Sequence, residues 1–292
     1  MNMPDLPDLE TYLGKEHVEE DVLSLSQAHG LAAMLDRDTA QLKNGGILPA
    51  GWHWIYFKPT AGRSALGADG HVEREGFLPA PLPRRMWAGG TLRFPGTLHV
   101  GEKVTRVSKI QSIERKEGRS GPLVFVTVRH QIANQKGPAI KEEQNLVYLP
   151  EVPPGEKAGG GARLSVPAPG KADWSEAYTA DERTLFRFSA LTFNSHRIHY
   201  DYPYVTEVEG YPGLVVHGPL LALLLLDAGI RHTTDSSTTV LPQLFRYRAL
   251  RPLFCNESFQ LAGKQPDQGV MKLWAAHDEH GIATEAELEV LP

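Results

Sequence analysis

The chain has 292 residues, of which 41% are hydrophobic and 22% are charged, and its formal net charge is −5. This composition supplies enough apolar side chains for a core and argues against a generally basic surface for nucleic acid or an anionic membrane. The single cysteine, Cys255, excludes an intrachain disulfide and any metal site built from several cysteines.

The N-terminal stretch MNMPDLPDLETYLGKE is acidic and contains prolines, and it lacks the basic start and apolar run of a signal peptide. The longest apolar stretch, residues 220–230, is too short to cross a bilayer and is interrupted by Asp227. We therefore expect a cytoplasmic protein, or a mitochondrial one if the source is eukaryotic, with neither a membrane nor a nucleic acid as partner.

The first half of the chain reads as a helix followed by strands. Residues 18–43 place apolar side chains at roughly helical spacing and predict a helix. Segments 91–100, 103–116, 122–132 and 144–150 predict strands, and 122–132 is the richest of them in β-branched residues.

A boundary follows in residues 150–172, which combine five prolines with a glycine triplet and few large apolar side chains. Such a run cannot bury enough surface to order itself as a core element, so it predicts a linker. The linker divides the chain into an N-terminal domain, residues 1–149, and a C-terminal domain, residues 173–292.

The second half repeats the order of elements. Residues 186–194 predict a strand or irregular chain, and the almost wholly apolar segment 219–230 predicts a buried helix that begins at Gly218-Pro219. Antiparallel strands are predicted after it, with a hairpin turn at HDEHG, and they lie at 243–254, 256–265, 269–277 and 283–292. A buried helix with an antiparallel sheet, occurring twice, indicates a duplicated α+β unit.

The stretch LTFNSHRIHYDYPYV, residues 191–205, gathers the polar side chains Asn194, His196, His199 and Asp201. The two histidines are three residues apart, but the sequence offers no third ligand of suitable spacing, so we predict no metal site. A serine-hydrolase triad is not predicted either, because the chain has no GxSxG motif.

A second polar cluster, VVHGPLL at residues 215–221, lies where the apolar helix is expected to begin. Backbone N–H groups at a helix N-terminus carry partial positive charge, and Gly218 would let a ligand approach them closely. That equipment can polarise a carbonyl and hold enolate charge. The alternative is that His217 and Gly218 simply begin a core helix.

Together the two clusters resemble the MaoC-like family of (R)-specific enoyl-thioester hydratases and dehydratases, through the run FSALTFNSHRIH at 188–199 and the later His217-Gly218. The resemblance implies that His199 is the catalytic histidine and that the Gly218 N–H meets the thioester carbonyl. Asn194 stands where the family usually has its catalytic aspartate, and His196 where it has an asparagine. An amide cannot act as a general base.

Four N-terminal segments, GWHWIYF, SALGADGH, FLPAPLPRRMWAGG and GRSGPLVFVTV, resemble the dehydratase-like domain of a two-hot-dog subgroup. This subgroup includes mesaconyl-C4-CoA hydratases, itaconyl-CoA hydratases and mitochondrial-type 3-hydroxyacyl-thioester dehydratases. The resemblance covers nearly the whole chain and implies an α+β double hot dog, each unit an antiparallel sheet wrapped around a central helix. It implies no cofactor, because coenzyme A is part of the substrate.

The implied reaction adds or removes water across an enoyl-CoA double bond. His199 would take a proton from the water, the Gly218 N–H would bind the thioester oxygen, and Asn194 would orient the water. The second proton transfer is open between His199 itself, Asp201 and His196.

The predicted substrate-binding residues are Arg84, Arg85, Trp87, His217, Arg246 and Arg248. Arg84 or Arg85 would grip a carboxylate or a CoA phosphate, unless both form a solvated surface pair. Arg246 and Arg248 share one strand face, which would meet the nucleotide phosphates or simply face solvent.

We expect an acyl-CoA hydro-lyase whose substrate is a short branched dicarboxylyl-CoA of the mesaconyl-C4-CoA or itaconyl-CoA type. The alternatives are a 3-hydroxyacyl-thioester dehydratase of fatty-acid metabolism and a non-catalytic acyl-CoA-binding protein, which Asn194 keeps open. A homodimer is also open, because two hot-dog units in one chain could already satisfy the pairing of their sheets.

Overall fold

The computed structural model describes residues 9–72, 76–118, 121–152, 158, 166–168, 170–233 and 241–290. Within these ranges the chain forms ten β-strands and three α-helices. The strands are β1 (Glu16–Val22), β2 (Arg84–Arg93), β3 (Lys103–Gly118), β4 (Gly121–Asn134), β5 (Gly137–Leu149), β6 (Trp174–Thr179), β7 (Pro242–Ala249), β8 (Ser258–Gly263), β9 (Val270–His277) and β10 (Gly281–Val290). The helices are α1 (Leu25–Met34), α2 (Glu182–Thr192) and α3 (Gly218–Thr233).

All ten strands belong to one antiparallel sheet in the order β1-β3-β4-β5-β2-β7-β10-β9-β8-β6. The first five strands in this order come from residues 16–149 and the other five from residues 174–290. The halves meet where β2 pairs with β7, from Gly89 opposite Arg248 to Arg93 opposite Leu244. Much of the predicted linker, 153–157, 159–165 and 169, lies outside the described residues.

The predicted apolar helix is confirmed as α3, which contacts β7, β8, β9 and β10. Its leucines are buried on every side, from Leu220 to Leu226, as expected for a helix without a polar face. Asp227, the one acid in this run, pairs with Arg37 and with Arg231. None of the helices in the described ranges combines the length and the hydropathy of a membrane span.

The predicted helix at 18–43 is wrong over its first part. Residues Glu16–Val22 form β1, an edge strand that pairs with β3 and leaves Val18 and Val22 exposed. Helix α1 begins only at Leu25 and ends at Met34. The spacing between Val18 and Val22 imitates a helical repeat, whereas strand pairing sets the conformation of this segment.

The prediction of a strand or irregular chain at 186–194 is also wrong, because most of this segment lies in α2. The Asp181 carboxylate accepts a hydrogen bond from the Thr184 N–H and caps the helix start. Phe193 ends the helix in a left-handed conformation, with φ of 52°. Helix α2 therefore delivers the chain directly into the turn that begins at Asn194.

The strand predicted at 91–100 lies too far along the chain. Strand β2 runs from Arg84 to Arg93 and ends just before Pro95-Gly96. Arg84, Arg85 and Trp87 are therefore strand residues. They lie in the strand that joins the two halves of the sheet.

Candidate active site

Two stacked imidazoles lie at the N-terminus of α3. The rings of His199 and His217 are nearly parallel, with centroids 3.6 Å apart. His199 Nδ1 lies 2.7 Å from the Val215 carbonyl oxygen, so Nδ1–H donates to it and Nε2 is left with a free lone pair. His217 is fully buried, with Nε2 2.8 Å from the Ser189 hydroxyl on α2.

Burial keeps both imidazoles neutral near pH 7. It lowers the pKa of His199 to about 4, although the hydrogen bond to Val215 opposes the shift. Burial also lowers the pKa of His217 well below its usual range, and the charge of His199 adds to this effect. A neutral His199 with a free Nε2 is in the state that can take a proton from water.

Gly218 begins α3 directly after His217, where the first N–H groups of the helix have no partner within the helix. A methyl group at Gly218 would come no closer than 3.7 Å to Trp87 Cβ and 3.8 Å to the Trp87 carbonyl oxygen. The Trp87 indole is held by a 3.1 Å hydrogen bond from its Nε1–H to the Gly89 carbonyl. Gly218 and Trp87 thus face each other across the N-terminal end of α3, which we call the helix mouth.

Asn194 makes the turn between α2 and the histidines. Its side-chain oxygen accepts a 2.9 Å hydrogen bond from the His196 N–H, so this oxygen is occupied. The amide NH₂ is the part of Asn194 left for a ligand or a water. Asp201 is also engaged: it binds Arg197 at 2.9 Å and accepts from the Tyr204 N–H at 3.1 Å. The hydrogen bond from Arg197 lowers the pKa of Asp201, which makes it a poor proton donor.

A loop from the first half, residues 66–72, presses against this turn. The Ser195 hydroxyl donates to the Gly70 carbonyl at 2.6 Å, and the Arg197 N–H donates to the Asp69 carbonyl at 2.8 Å. Gly70 has a φ of +90°, and a Cβ there would lie 1.9 Å from the Ser195 carbonyl oxygen. Only glycine permits this approach of the two backbones.

The same loop adds residues that no motif in the sequence marks as functional. His71 Nδ1 lies 2.7 Å from the Asp69 carboxylate. The His71 ring is 4.0 Å from that of His196, which in turn is 5.4 Å from that of His199. The two-residue spacing of Asp69 and His71 was the available signal, but nothing local connects it with residues 194–199.

These imidazoles are desolvated, and they include a possible ligand set for a metal. Burial lowers the pKa of His71 and of His196, and the nearby charge of Arg85 lowers both further. Asp69, His71 and His196 each offer a ligand atom within 4.8 Å of the others. Oxygen and imidazole donors suit Zn²⁺ and similar ions. The absence of a metal stays a prediction.

The two adjacent arginines of β2 have different surroundings. Arg84 donates from Nε to the buried Glu209 carboxylate at 2.6 Å and from Nη2 to the Tyr211 hydroxyl at 3.0 Å. Arg85 lies opposite Tyr148 of β5 and near the imidazole cluster. The other predicted binding pair, Arg246 and Arg248, lies exposed on β7 and forms ion pairs with Glu287 at 3.1 Å and Glu285 at 3.6 Å.

Comparison with known proteins bears on the fold and on the chemistry. Residues 51–255 match the family model described as hydroxyacyl-thioester dehydratase type 2. The chain is 40% identical to the mesaconyl-C4-CoA hydratase of Chloroflexus aurantiacus, over 97% of this chain and 98% of that protein.

Two solved structures share the architecture. A MaoC-like dehydratase from Phytophthora capsici superposes with a TM-score of 0.71 at 15% identity, over 97% of this chain and 99% of that one. A Mycobacterium tuberculosis protein described as a double hotdog fold superposes with a TM-score of 0.53 at 16% identity, covering 96% of each chain. The predicted α+β double hot dog is confirmed.

Proposed function

This chain belongs to the hydroxyacyl-thioester dehydratase type 2 family of hydro-lyases, and from that premise we propose that it hydrates a short branched dicarboxylyl-CoA of the mesaconyl-C4-CoA type. The choice of acyl group is supported by the 40% identity to the Chloroflexus mesaconyl-C4-CoA hydratase across nearly the whole of both chains. In such a substrate the carbon that receives the hydroxyl group also carries the free carboxylate.

The observation that carries the mechanism is the position of His199 beside the mouth of α3, with Nδ1 bound to Val215 and Nε2 free. Nε2 takes a proton from water as the oxygen bonds to the β-carbon of the enoyl group. The negative charge that moves to the thioester oxygen is held by the Gly218 N–H and the helix dipole. The amide of Asn194 orients the water.

The proton then goes to the α-carbon. Burial lowers the pKa of His199 to about 4, so the imidazolium formed in the first step is a strong acid and readily gives up its proton. One histidine can therefore take the proton from water and return it to the α-carbon on the same face of the substrate. This route needs no aspartate at the position of Asn194.

The second candidate is a 3-hydroxyacyl-thioester dehydratase, which the name of the matching family supports. The same residues would run the reaction in reverse, with His199 removing the α-proton. A third candidate, an acyl-CoA-binding protein without turnover, rests on the replacement of the usual aspartate by Asn194.

One set of assays separates these candidates. We expect the wild-type protein to hydrate mesaconyl-C4-CoA more efficiently than crotonyl-CoA, and we expect His199→Ala to lower kcat by about 10²- to 10⁴-fold. His17→Ala, at a half-exposed histidine, is the matched control and should change neither rate. Faster dehydration of long 3-hydroxyacyl-CoA esters would favour the second candidate. No turnover of any of these esters would leave the third.

A further inference from the structure

The side chains of Arg84 and Arg85 point to opposite faces of β2, because successive strand residues alternate. Arg84 is held by Glu209 and Tyr211, and Glu209 also accepts a 3.2 Å hydrogen bond from the Tyr204 hydroxyl. The Arg84 side chain therefore has its counter-charge within the protein.

Arg85 is different. Among the residues that the structure describes, no carboxylate forms an ion pair with its guanidinium. Its cross-strand neighbour is Tyr148, whose buried hydroxyl makes no hydrogen bond of regular geometry in the same ranges. The half-buried guanidinium and the buried hydroxyl thus share one face and interact with each other, and Asp69 feels the charge of Arg85 without forming an ion pair with it.

The charge of Arg85 acts on two imidazoles beside His199. After burial, it is the next cause of the lowered pKa of His71, and it also contributes to the lowered pKa of His196. These rings connect to His199 through the ring contacts of 4.0 Å and 5.4 Å. The guanidinium therefore lies near His71 and His196, and His196 is in ring contact with His199.

Strand geometry sets the distance to the thioester site. Trp87 lies two residues after Arg85 on the same face and faces Gly218. Two residues of a strand span about 6–7 Å. In a mesaconyl group the free carboxylate carbon lies three carbon–carbon bonds from the thioester carbon. If the thioester oxygen binds at Gly218, the carboxylate is therefore within reach of the Arg85 side chain.

We propose that Arg85, with the Tyr148 hydroxyl beside it, binds the free carboxylate of the acyl group and so selects dicarboxylyl-CoA substrates, whereas Arg84 has a structural role. The inference rests on the proposed function and narrows the source of its specificity to one of two adjacent arginines. An arginine suits this task because its planar guanidinium can donate two parallel hydrogen bonds to a carboxylate.

The test compares Arg85→Gln and Arg85→Lys on two substrates, mesaconyl-C4-CoA and crotonyl-CoA, which lacks the carboxylate. Arg85→Gln should lower kcat/KM for mesaconyl-C4-CoA by about 10- to 100-fold and leave crotonyl-CoA little changed. Arg85→Lys keeps the positive charge but not the two parallel N–H donors of the guanidinium, so kcat/KM for mesaconyl-C4-CoA should fall less than in Arg85→Gln. Arg93→Gln, at the exposed end of the same strand, is the matched control and should alter neither substrate.

Equal losses on both substrates would overturn the inference, because they would indicate contact with coenzyme A or damage to the fold. An unchanged kcat/KM for mesaconyl-C4-CoA would overturn it as well. Binding of the unreactive esters succinyl-CoA and butyryl-CoA keeps the inference separable from the proposed function. If the wild type turns over no enoyl-CoA, a preference for succinyl-CoA that Arg85→Gln abolishes still supports Arg85, and no such preference refutes it.

Discussion

The two halves of the molecule differ at the N-terminal ends of their helices α1 and α3. In the first half, the buried Tyr56 lies at the start of α1 and donates its hydroxyl to the carbonyl of the N-cap residue Ser24 at 2.8 Å. In the second half, α3 starts with Gly218, beside the stacked rings of His199 and His217. The residues around the start of the helix therefore differ between the two halves, and we expect a thioester to bind only at the start of α3.

The first half contributes to the site in another way. Its strand β2 places Trp87 against Gly218, and its loop 66–72 places Asp69 and His71 against the histidine turn. In the proposed mechanism the second half supplies the reacting groups, whereas Trp87 and the charged loop 66–72 come from the first half. This division of labour predicts that substitutions in the two halves affect different properties.

Among the substitutions that test this comparison, Gly218→Ala should have the largest effect, because it narrows the space at the start of α3. The new methyl group would be in ordinary contact with Trp87, and alanine favours a helix, so the protein should stay folded. Because the methyl group would enter the space beside Trp87 where the thioester is proposed to bind, kcat/KM should fall by on the order of 10²-fold. Gly213→Ala, where nothing lies within 4 Å, is the control. Unchanged activity in Gly218→Ala would contradict this role of the helix mouth.

A second prediction concerns acid pH, where His71 should behave like the histidines of the second half. Burial lowers its pKa in the folded protein, whereas the unfolded chain binds a proton near pH 6.5. Between these values the unfolded state holds more protons, so stability falls as the pH falls below about 6.5. The facing groups Asp69 and Glu209 oppose the shift, and Arg85 adds to it.

The measurement is urea unfolding between pH 7 and pH 5. His71→Gln should reduce the slope of stability against pH by at most about 1.4 kcal/mol per pH unit. His17→Gln, at an exposed histidine, controls for the loss of an imidazole. If His71→Gln changes the slope no more than this control does, the loop of the first half does not share the desolvated environment of the site.

A smaller effect is expected from Tyr56→Phe at the start of α1. The substitution removes one buried hydrogen bond to the Ser24 carbonyl, which also accepts from the Ala28 N–H. We expect a loss of about 0.5–1.5 kcal/mol in the free energy of unfolding. The kcat/KM should not change, because neither Tyr56 nor Ser24 has a role in the proposed mechanism. A large loss of activity in a folded Tyr56→Phe protein would show that the two helix ends are not so different.

The sequence was most informative where function depends on neighbouring residues. His199 and His217-Gly218 stood out because each motif is short and continuous, and the apolar run of α3 marked its helix. The contact between Ser195 and Gly70 is different because the two residues are 125 positions apart in the sequence. It forms only when the two halves pack together. The aromatic residues of α2 favour a strand, so the sequence pattern predicts the wrong element there although Asp181 provides an N-cap.

The smallest effect is expected from Arg246→Gln on the outer face of β7. Its neighbour Tyr247 is buried towards the core, whereas the Arg246 side chain is 53% exposed and pairs with Glu287 at 3.1 Å. Exposed pairs of this kind contribute about 0–1 kcal/mol, so stability should hardly change. The KM for crotonyl-CoA should also stay constant, because the counter-charge of this arginine is already on the protein. If the KM of Arg246→Gln exceeds that of the wild type at low salt but equals it at high salt, the CoA phosphates bind on this face. Both halves of the molecule would then bind substrate away from the start of α3.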